Sequence, residues 1–271
     1  MAAGSGHHDT ARLWLIRTDL PEDVLSRLAA LLDEHERQRL EAIRDDVSRR
    51  RFTAAHGITR LVVGHHSGAP PEAVRWRRGA HGKPELAWPR APLHVNLSHS
   101  GDLALVAVSA HRPVGVDVEV VPRSVDAGRL AARYYPGVEA DLVARAGGPA
   151  DQLDRFIHLW VRKEACVKAA GARLLRGLRL PVVGTGATVL VRDPTGVLPG
   201  PYLVRDLVVP PGFRAAVALA GGRSFRVVRR WWSAESQPGS QPGSQPGSQP
   251  GHAPRINRPV LARNTSSRLG R

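Results

Sequence analysis

Apolar residues recur at helical spacing twice near the start of the chain. Val24, Leu25, Leu28, Leu31, Leu32, Leu40 and Ile43 predict a helix over Pro21–Arg44. Phe52, Ala55, Ile58, Leu61 and Val62 predict a second over Ser48–Val63, ended by the Gly/Pro-rich stretch Gly64–Pro71. The period then changes: Leu93–Leu97, Leu103–Ser109 and Val114–Val121 predict strands, the first two joined by a Ser-His-Ser-Gly-Asp turn. Helical spacing returns over Val125–Arg133, Gly137–Ala146 and Gln152–Gly171. Short strands follow at Ala187–Val191, Tyr202–Val209, Arg214–Ala220 and Phe225–Trp231. Helices and strands in two successive groups predict an α+β fold of two halves, residues 1–112 and 113–232, joined near His111–Pro113. Beyond them Ser236-Gln237-Pro238-Gly239 is repeated four times and a basic stretch follows. Such a segment has no apolar surface to bury, so residues 233–271 are predicted to be a disordered tail.

Three elements break the plain amphipathic pattern. Gly115-Val116-Asp117-Val118-Glu119-Val120 alternates strictly, which sets Asp117 and Glu119 on one face of a strand. Neighbouring carboxylates repel unless a cation lies between them, and Mg²⁺ is the natural oxygen-seeking candidate. A solvated acidic edge strand is the other reading of the same alternation. In the predicted helix over Gln152–Gly171, Trp160, Lys163, Glu164, Val167, Lys168 and Gly171 share one face by spacing. That face mixes apolar and charged groups, so Glu164 can complete the cation site while both lysines meet phosphate oxygens; a surface Glu164–Lys168 pair is the alternative. Asn96-Leu97-Ser98-His99-Ser100-Gly101 adds hydroxyls, an imidazole and turn N–H groups, the ingredients of a compact anion site.

Composition sharpens this. Of 39 basic residues only Lys83, Lys163 and Lys168 are lysines, and each lies in a short motif. Retention of a compact ammonium against so strong an arginine bias suggests chemistry that a guanidinium does not replace. The net charge of +15 asks for an anionic partner or ligand. No zinc-finger, basic-zipper or aromatic RNA-binding signature is present, which argues against nucleic acid. A single cysteine, Cys166, precludes an internal disulfide and suits a reducing cytoplasm. No apolar run approaches the roughly 20 residues that span a bilayer.

Gly82-Lys83-Pro84, Asn96-Leu97-Ser98-His99-Ser100, Val114-Gly115-Val116-Asp117-Val118-Glu119 and Trp160 through Lys168 together resemble the motifs of the 4′-phosphopantetheinyl transferases, in the family's order. The likeness is to the large, pseudo-dimeric type that activates peptide and polyketide synthases, and it extends over roughly residues 10–230. Val161 departs from the Ser, Thr or Cys of many members. The resemblance implies two similar helix-plus-sheet halves with the active site in the cleft between them. It implies transfer of the 4′-phosphopantetheine arm of coenzyme A to a serine of an acyl or peptidyl carrier protein, with release of 3′,5′-adenosine bisphosphate. Asp117, Glu119 and Glu164 would hold Mg²⁺. Glu164 would accept the serine proton and Lys168 assist the leaving phosphate. Arg51, Arg78, Lys83, Ser98, His99, Lys163 and Lys168 would contact coenzyme A. The enzyme is expected to be a cytoplasmic monomer with no nucleic-acid or membrane partner. A Mg²⁺-dependent phosphohydrolase or nuclease uses the same carboxylates, and a basic nucleic-acid-binding module accounts for the charge; both stay open on sequence alone.

Overall fold

The computed structural model describes residues 9–122 and 124–236; the expected disordered tail lies, from residue 237 onward, outside them. The first strand, β1 (Asp9–Arg17), has an apolar centre at Leu13–Ile16 too short to stand out by period. Helices α1 (Glu22–Ala30), α2 (Glu34–Ala42) and α3 (Asp46–Ser67) follow, so the single helix expected over Pro21–Arg44 is two. The break has a local cause. Glu36 N donates to Asp33 Oδ1 at 2.9 Å and Asp33 N donates to Glu36 Oε2 at 3.2 Å, a capping box that restarts the helix inside the apolar run. A hairpin of β2 (Arg75–Arg78) and β3 (Pro84–Trp88), also unmarked by the pattern, carries Gly82 and Lys83 in its connection.

The remaining elements lie where the hydrophobic pattern puts them, with ends shifted by a few residues. They are β4 (His94–Ser100), β5 (Leu103–Ser109), β6 (Val114–Val120), α4 (Ala127–Tyr134), α5 (Gly137–Ala144), α6 (Pro149–Ala170), β7 (Val189–Val191), β8 (Tyr202–Asp206), β9 (Phe213–Ala220) and β10 (Phe225–Trp231). They build two four-stranded sheets, ordered β10-β1-β5-β4 and β6-β9-β8-β7. β10 runs parallel to β1, from Asp9 opposite Phe225 to Leu15 opposite Trp231, so the last of the described strands supplies an edge to the first sheet.

The sheets pack face to face. Leu13, Leu15 and Leu105 of one and Val114, Val116, Val118 and Val217 of the other form one buried cluster. Ile58 and Val62 of α3 cover the outer face of the first sheet against Val106 and Val108. Phe156, Leu159 and Ala165 of α6 cover the outer face of the second against Tyr202, Ala216 and Ala218. The result is an α+β arrangement layered helix, sheet, sheet, helix. Among the described residues no helix is long and apolar enough to cross a membrane.

One close approach sets the site. A Cβ on Gly115 of β6 would lie 2.0 Å from Ala165 O and 2.3 Å from Ala169 N of α6, so only glycine lets helix and strand meet here. Gly115→Ala is expected to lower stability by roughly 1–3 kcal/mol, as overpacking does. The measurement is the urea midpoint; a midpoint equal to that of the parent would show that α6 can lift from β6 without strain.

Candidate active site

At one side of the packed sheets, the inner face of β4 meets the edge of β6. One edge of β6 pairs with β9; the other is met by side chains rather than by a strand's carbonyls. Asn96, Ser98 and Ser100 alternate onto one side of β4. Asn96 Oδ1 accepts from Val116 N at 2.8 Å, Ser98 Oγ from Val118 N at 3.3 Å and Ser100 Oγ from Val120 N at 3.1 Å. The same two hydroxyls donate to the carboxylates of β6. Ser98 Oγ reaches Asp117 Oδ1 at 2.8 Å, and Ser100 Oγ reaches Glu119 Oε2 at 2.7 Å. The Asn-x-Ser-x-Ser alternation is therefore a splint that aligns Asp117 and Glu119, a use its reading as an anion turn did not include.

Lys168, on α6 above β6, donates from Nζ to Asp117 Oδ1 at 2.6 Å and to Ser98 Oγ at 2.9 Å. Asp117 is 1% exposed. Burial raises its pKa, with Lys168 opposing. Burial also raises that of Glu119, and the charge of Asp117 adds to it. Glu164 is pushed up to about 7, first by burial and then by the negative charge of Asp117, with a smaller push from Glu119. Asp117, Glu119 and Glu164 thus share one electrostatic field.

The donor chemistry fits a hard dication. All three groups offer oxygen, their mutual repulsion favours a cation between them, and the buried Asp117 Oδ2 has no hydrogen-bond partner among the described residues. Among the described residues no three His, Cys, Asp or Glu side chains stand ready as a metal cage. Lys168 holds the Asp117 oxygen instead.

The face expected to join Trp160, Lys163, Glu164, Val167 and Lys168 divides in two. Trp160, Glu164 and Lys168 are half-buried, while Lys163 and Val167 turn into the core. Successive helical residues differ by about 100°, too much for Lys163 and Glu164 to face one point. Lys163 is 0% exposed. Its ammonium lies 2.5 Å from Glu139 Oε2, also donates to Leu180 O, and sits 4.5 Å from the Tyr135 ring centre. That placement corrects the expectation that it meets a phosphate, because an enclosed ammonium with these partners has no path to a ligand.

Lys83 is also held from within. Its Nζ donates to Val114 O at 3.3 Å and Ala169 O at 3.4 Å, tying the hairpin connection to β6 and α6. Burial lowers its pKa to about 8. Cys166 is fully buried and its thiol is pushed up by that burial, in keeping with a packing role.

Two cavities open nearby, one at His99 and one at Glu119. One, of about 770 Å³, is lined by Arg39, His56, Arg77, Arg78 and His99. The other, of about 560 Å³, starts at Glu119 and is walled by Val120, Leu130, Tyr134, Phe156 and Trp160. Both lie in the size range of small-molecule sites; the first is rich in Arg and His but also lined by Asp33 and Glu36, and the second is apolar. Arg51, on α3, is close enough for its charge to act on His99.

A family model described as the 4′-phosphopantetheinyl transferase superfamily matches residues 113–189. The 4′-phosphopantetheinyl transferase HetI of Nostoc is 34% identical over 218 residues, 79% of this chain and 89% of the relative. The chain belongs to the 4′-phosphopantetheinyl transferase family. The transferase psf-1 of Bacillus pumilus is 30% identical over 71% of this chain and 81% of its own. Sfp of Bacillus subtilis is 29% identical over 60% and 70% respectively. This kinship favours neither the phosphohydrolase nor the nucleic-acid-binding alternative. In the transferase the matched segment carries Asp117, Glu119, Glu164 and Lys168, while Arg51, Arg78, Lys83, Ser98 and His99 come from outside it. Sequence reasoning missed Arg39 and His56 on the cationic wall, and Glu139 as the partner of Lys163. No local signal marks them, since each reaches its neighbours across two elements.

Proposed function

We propose that the enzyme moves the 4′-phosphopantetheine arm of coenzyme A onto a serine of an acyl or peptidyl carrier protein. One observation carries this reading: Lys168, bonded to Asp117, acts by its charge on His99 of the Arg- and His-rich cavity, while Glu119 opens onto the apolar groove. Coenzyme A has the same division, a phosphoadenosine end and a less polar arm joined through a pyrophosphate. His99, Arg78 and Arg51 would receive the phosphates of the nucleotide end. Ser98 would support that end only indirectly, since its hydroxyl is engaged by Asp117, Lys168 and Val118. Lys83 would shape the hairpin that borders the cavity. Lys163 is left out of the binding set because it is enclosed.

Asp117, Glu119 and Glu164 would hold Mg²⁺, which when bound supplies neutralisation of the charge developing on the pyrophosphate. In the transfer, the serine oxygen forms a bond to the β-phosphorus and the P–O–P anhydride breaks, releasing 3′,5′-adenosine bisphosphate. Glu164, whose pKa near 7 suits proton transfer at neutral pH, would accept the serine proton. Lys168 would offer its ammonium to the departing phosphate, exchanging its hold on Asp117 for one on the leaving group. The apolar groove beside Glu119 would take the arm and the apolar contact surface of the acceptor.

Incubation with coenzyme A, Mg²⁺ and an apo carrier protein tests this. The carrier is expected to gain the mass of one phosphopantetheine arm while 3′,5′-adenosine bisphosphate appears in equal amount. Cleavage of coenzyme A without carrier modification would support the phosphohydrolase, and no turnover of either would reject both.

A further inference from the structure

His56 was not marked by any motif, yet the structure builds a support for it. Arg60, on the same helix, is 0% exposed and Glu36 is 5% exposed. Arg60 Nε donates to Glu36 Oε2 at 2.6 Å, and the guanidinium also donates to Val74 O at 2.9 Å and to Asp33. Glu36 Oε1 in turn meets His56 Nδ1 at 3.0 Å. Although burial opposes it, His56 and Arg60 keep Glu36 below the usual carboxylate range. The His56 ring stacks on Phe52 with centres 3.9 Å apart and an interplanar angle of 19°. Ring plane and one nitrogen are therefore set, and the side chain lines the cationic cavity together with His99.

That wall gathers positive groups, and the two carboxylates that also line it, Asp33 and Glu36, are both held by Arg60. Burial and the charges of His56, Lys168, Arg51 and Arg39 all lower the pKa of His99. Glu36, the carboxylate that meets His56, is already committed to Arg60. Crowded cations of this kind are stabilised by a polyanion, and a terminal phosphate monoester with up to two charges and three acceptor oxygens matches two imidazoles and two guanidinium groups.

We propose that His56, positioned by Glu36 and Arg60, binds the 3′-phosphate of coenzyme A beside His99 and so makes the enzyme selective for the phosphorylated co-substrate. The inference rests on coenzyme A being the co-substrate. Glu36 accepts from Nδ1–H, which leaves Nε2–H to donate to a phosphate oxygen. Arg60 is a positioning residue that acts through Glu36; His56 itself touches the ligand.

The test compares coenzyme A with 3′-dephospho-coenzyme A in steady-state transfer to one carrier protein at fixed pH and salt. Binding of 3′,5′-adenosine bisphosphate is measured in parallel by calorimetry. His56→Gln keeps an amide for Glu36 and should fold, which a melting curve checks. It is expected to raise KM for coenzyme A, and Kd for the bisphosphate, about tenfold, the loss of one charge-assisted hydrogen bond. The kcat and the KM for the dephospho compound should stay within about twofold. His56→Lys, which restores a cation, should recover most of the selectivity. An unchanged KM for coenzyme A in His56→Gln, or an equal rise with both co-substrates, overturns the assignment of His56. A parent enzyme that transfers nothing from coenzyme A overturns the co-substrate reading itself.

Discussion

Replacing Lys163 with methionine is expected to remove about 3–5 kcal/mol of stability, the usual result of breaking a buried ion pair from one side. Both partners are 0% exposed, and the pair is 2.5 Å apart. Methionine fills the space of the lysine stem but leaves the Glu139 carboxylate enclosed without its cation. Glu139 also accepts from Val182 N at 2.5 Å and Val183 N at 3.0 Å, so it cannot turn toward water without releasing that loop. For a folded unit of this size the melting temperature should fall on the order of 10 °C. Adding Glu139→Gln removes the stranded charge while keeping an oxygen for the two amides, and it should recover part of the loss. Equal midpoints for the single and double variants would reject the pair as the cause. A defect confined to KM for coenzyme A, with normal melting, would return Lys163 to the phosphate site.

Glu164→Gln is expected to slow transfer by on the order of 10²-fold or more, as loss of a general base does. The same change has a second signature without metal or co-substrate. Burial and the charge of Asp117 raise the pKa of Glu164 from 4.5 to about 7, so the folded protein holds this proton more tightly than the unfolded chain. The stability it confers is fully present below about pH 4.5 and is lost as pH rises through about 7. Melting temperature should therefore fall between about pH 5 and about pH 8 in the parent, and fall less in Glu164→Gln. Parallel pH profiles would show that Glu164 does not feel Asp117, and normal turnover of the variant would remove it from the catalytic set.

Much of the fold is legible in the chain because its signals are local. The alternation in Val114–Val120 sets Asp117 and Glu119 toward α6 and the valines toward the other sheet, as a period of two requires. The helix break at Asp33 is equally local, a capping box within four residues, but it competes with an apolar run that continues through it. β1 and the β2–β3 hairpin were not legible. The first is half of a pairing whose partners, β5 and β10, lie far along the chain, and the second is a short strand pair rich in arginine.

The sequence by itself determined the order of the motifs and, through them, the family, and it supplied the candidate donor groups of the site. These depend on residue type and on spacing within one strand or one helix, which the backbone's own periods translate into shared faces. Only the tertiary structure decided which way each cation turns. Lys163 and Lys168 lie in the same helical motif, yet one pairs with Glu139 in the core and the other with Asp117 on β6. The difference comes from what α6 packs against: α5 and the loop at Leu180 on one side, β6 on the other. Likewise His56 gains its support from Glu36 and Arg60 only once α2 lies against α3. A charge finds its partner through packing across elements, and no period along the chain records that meeting.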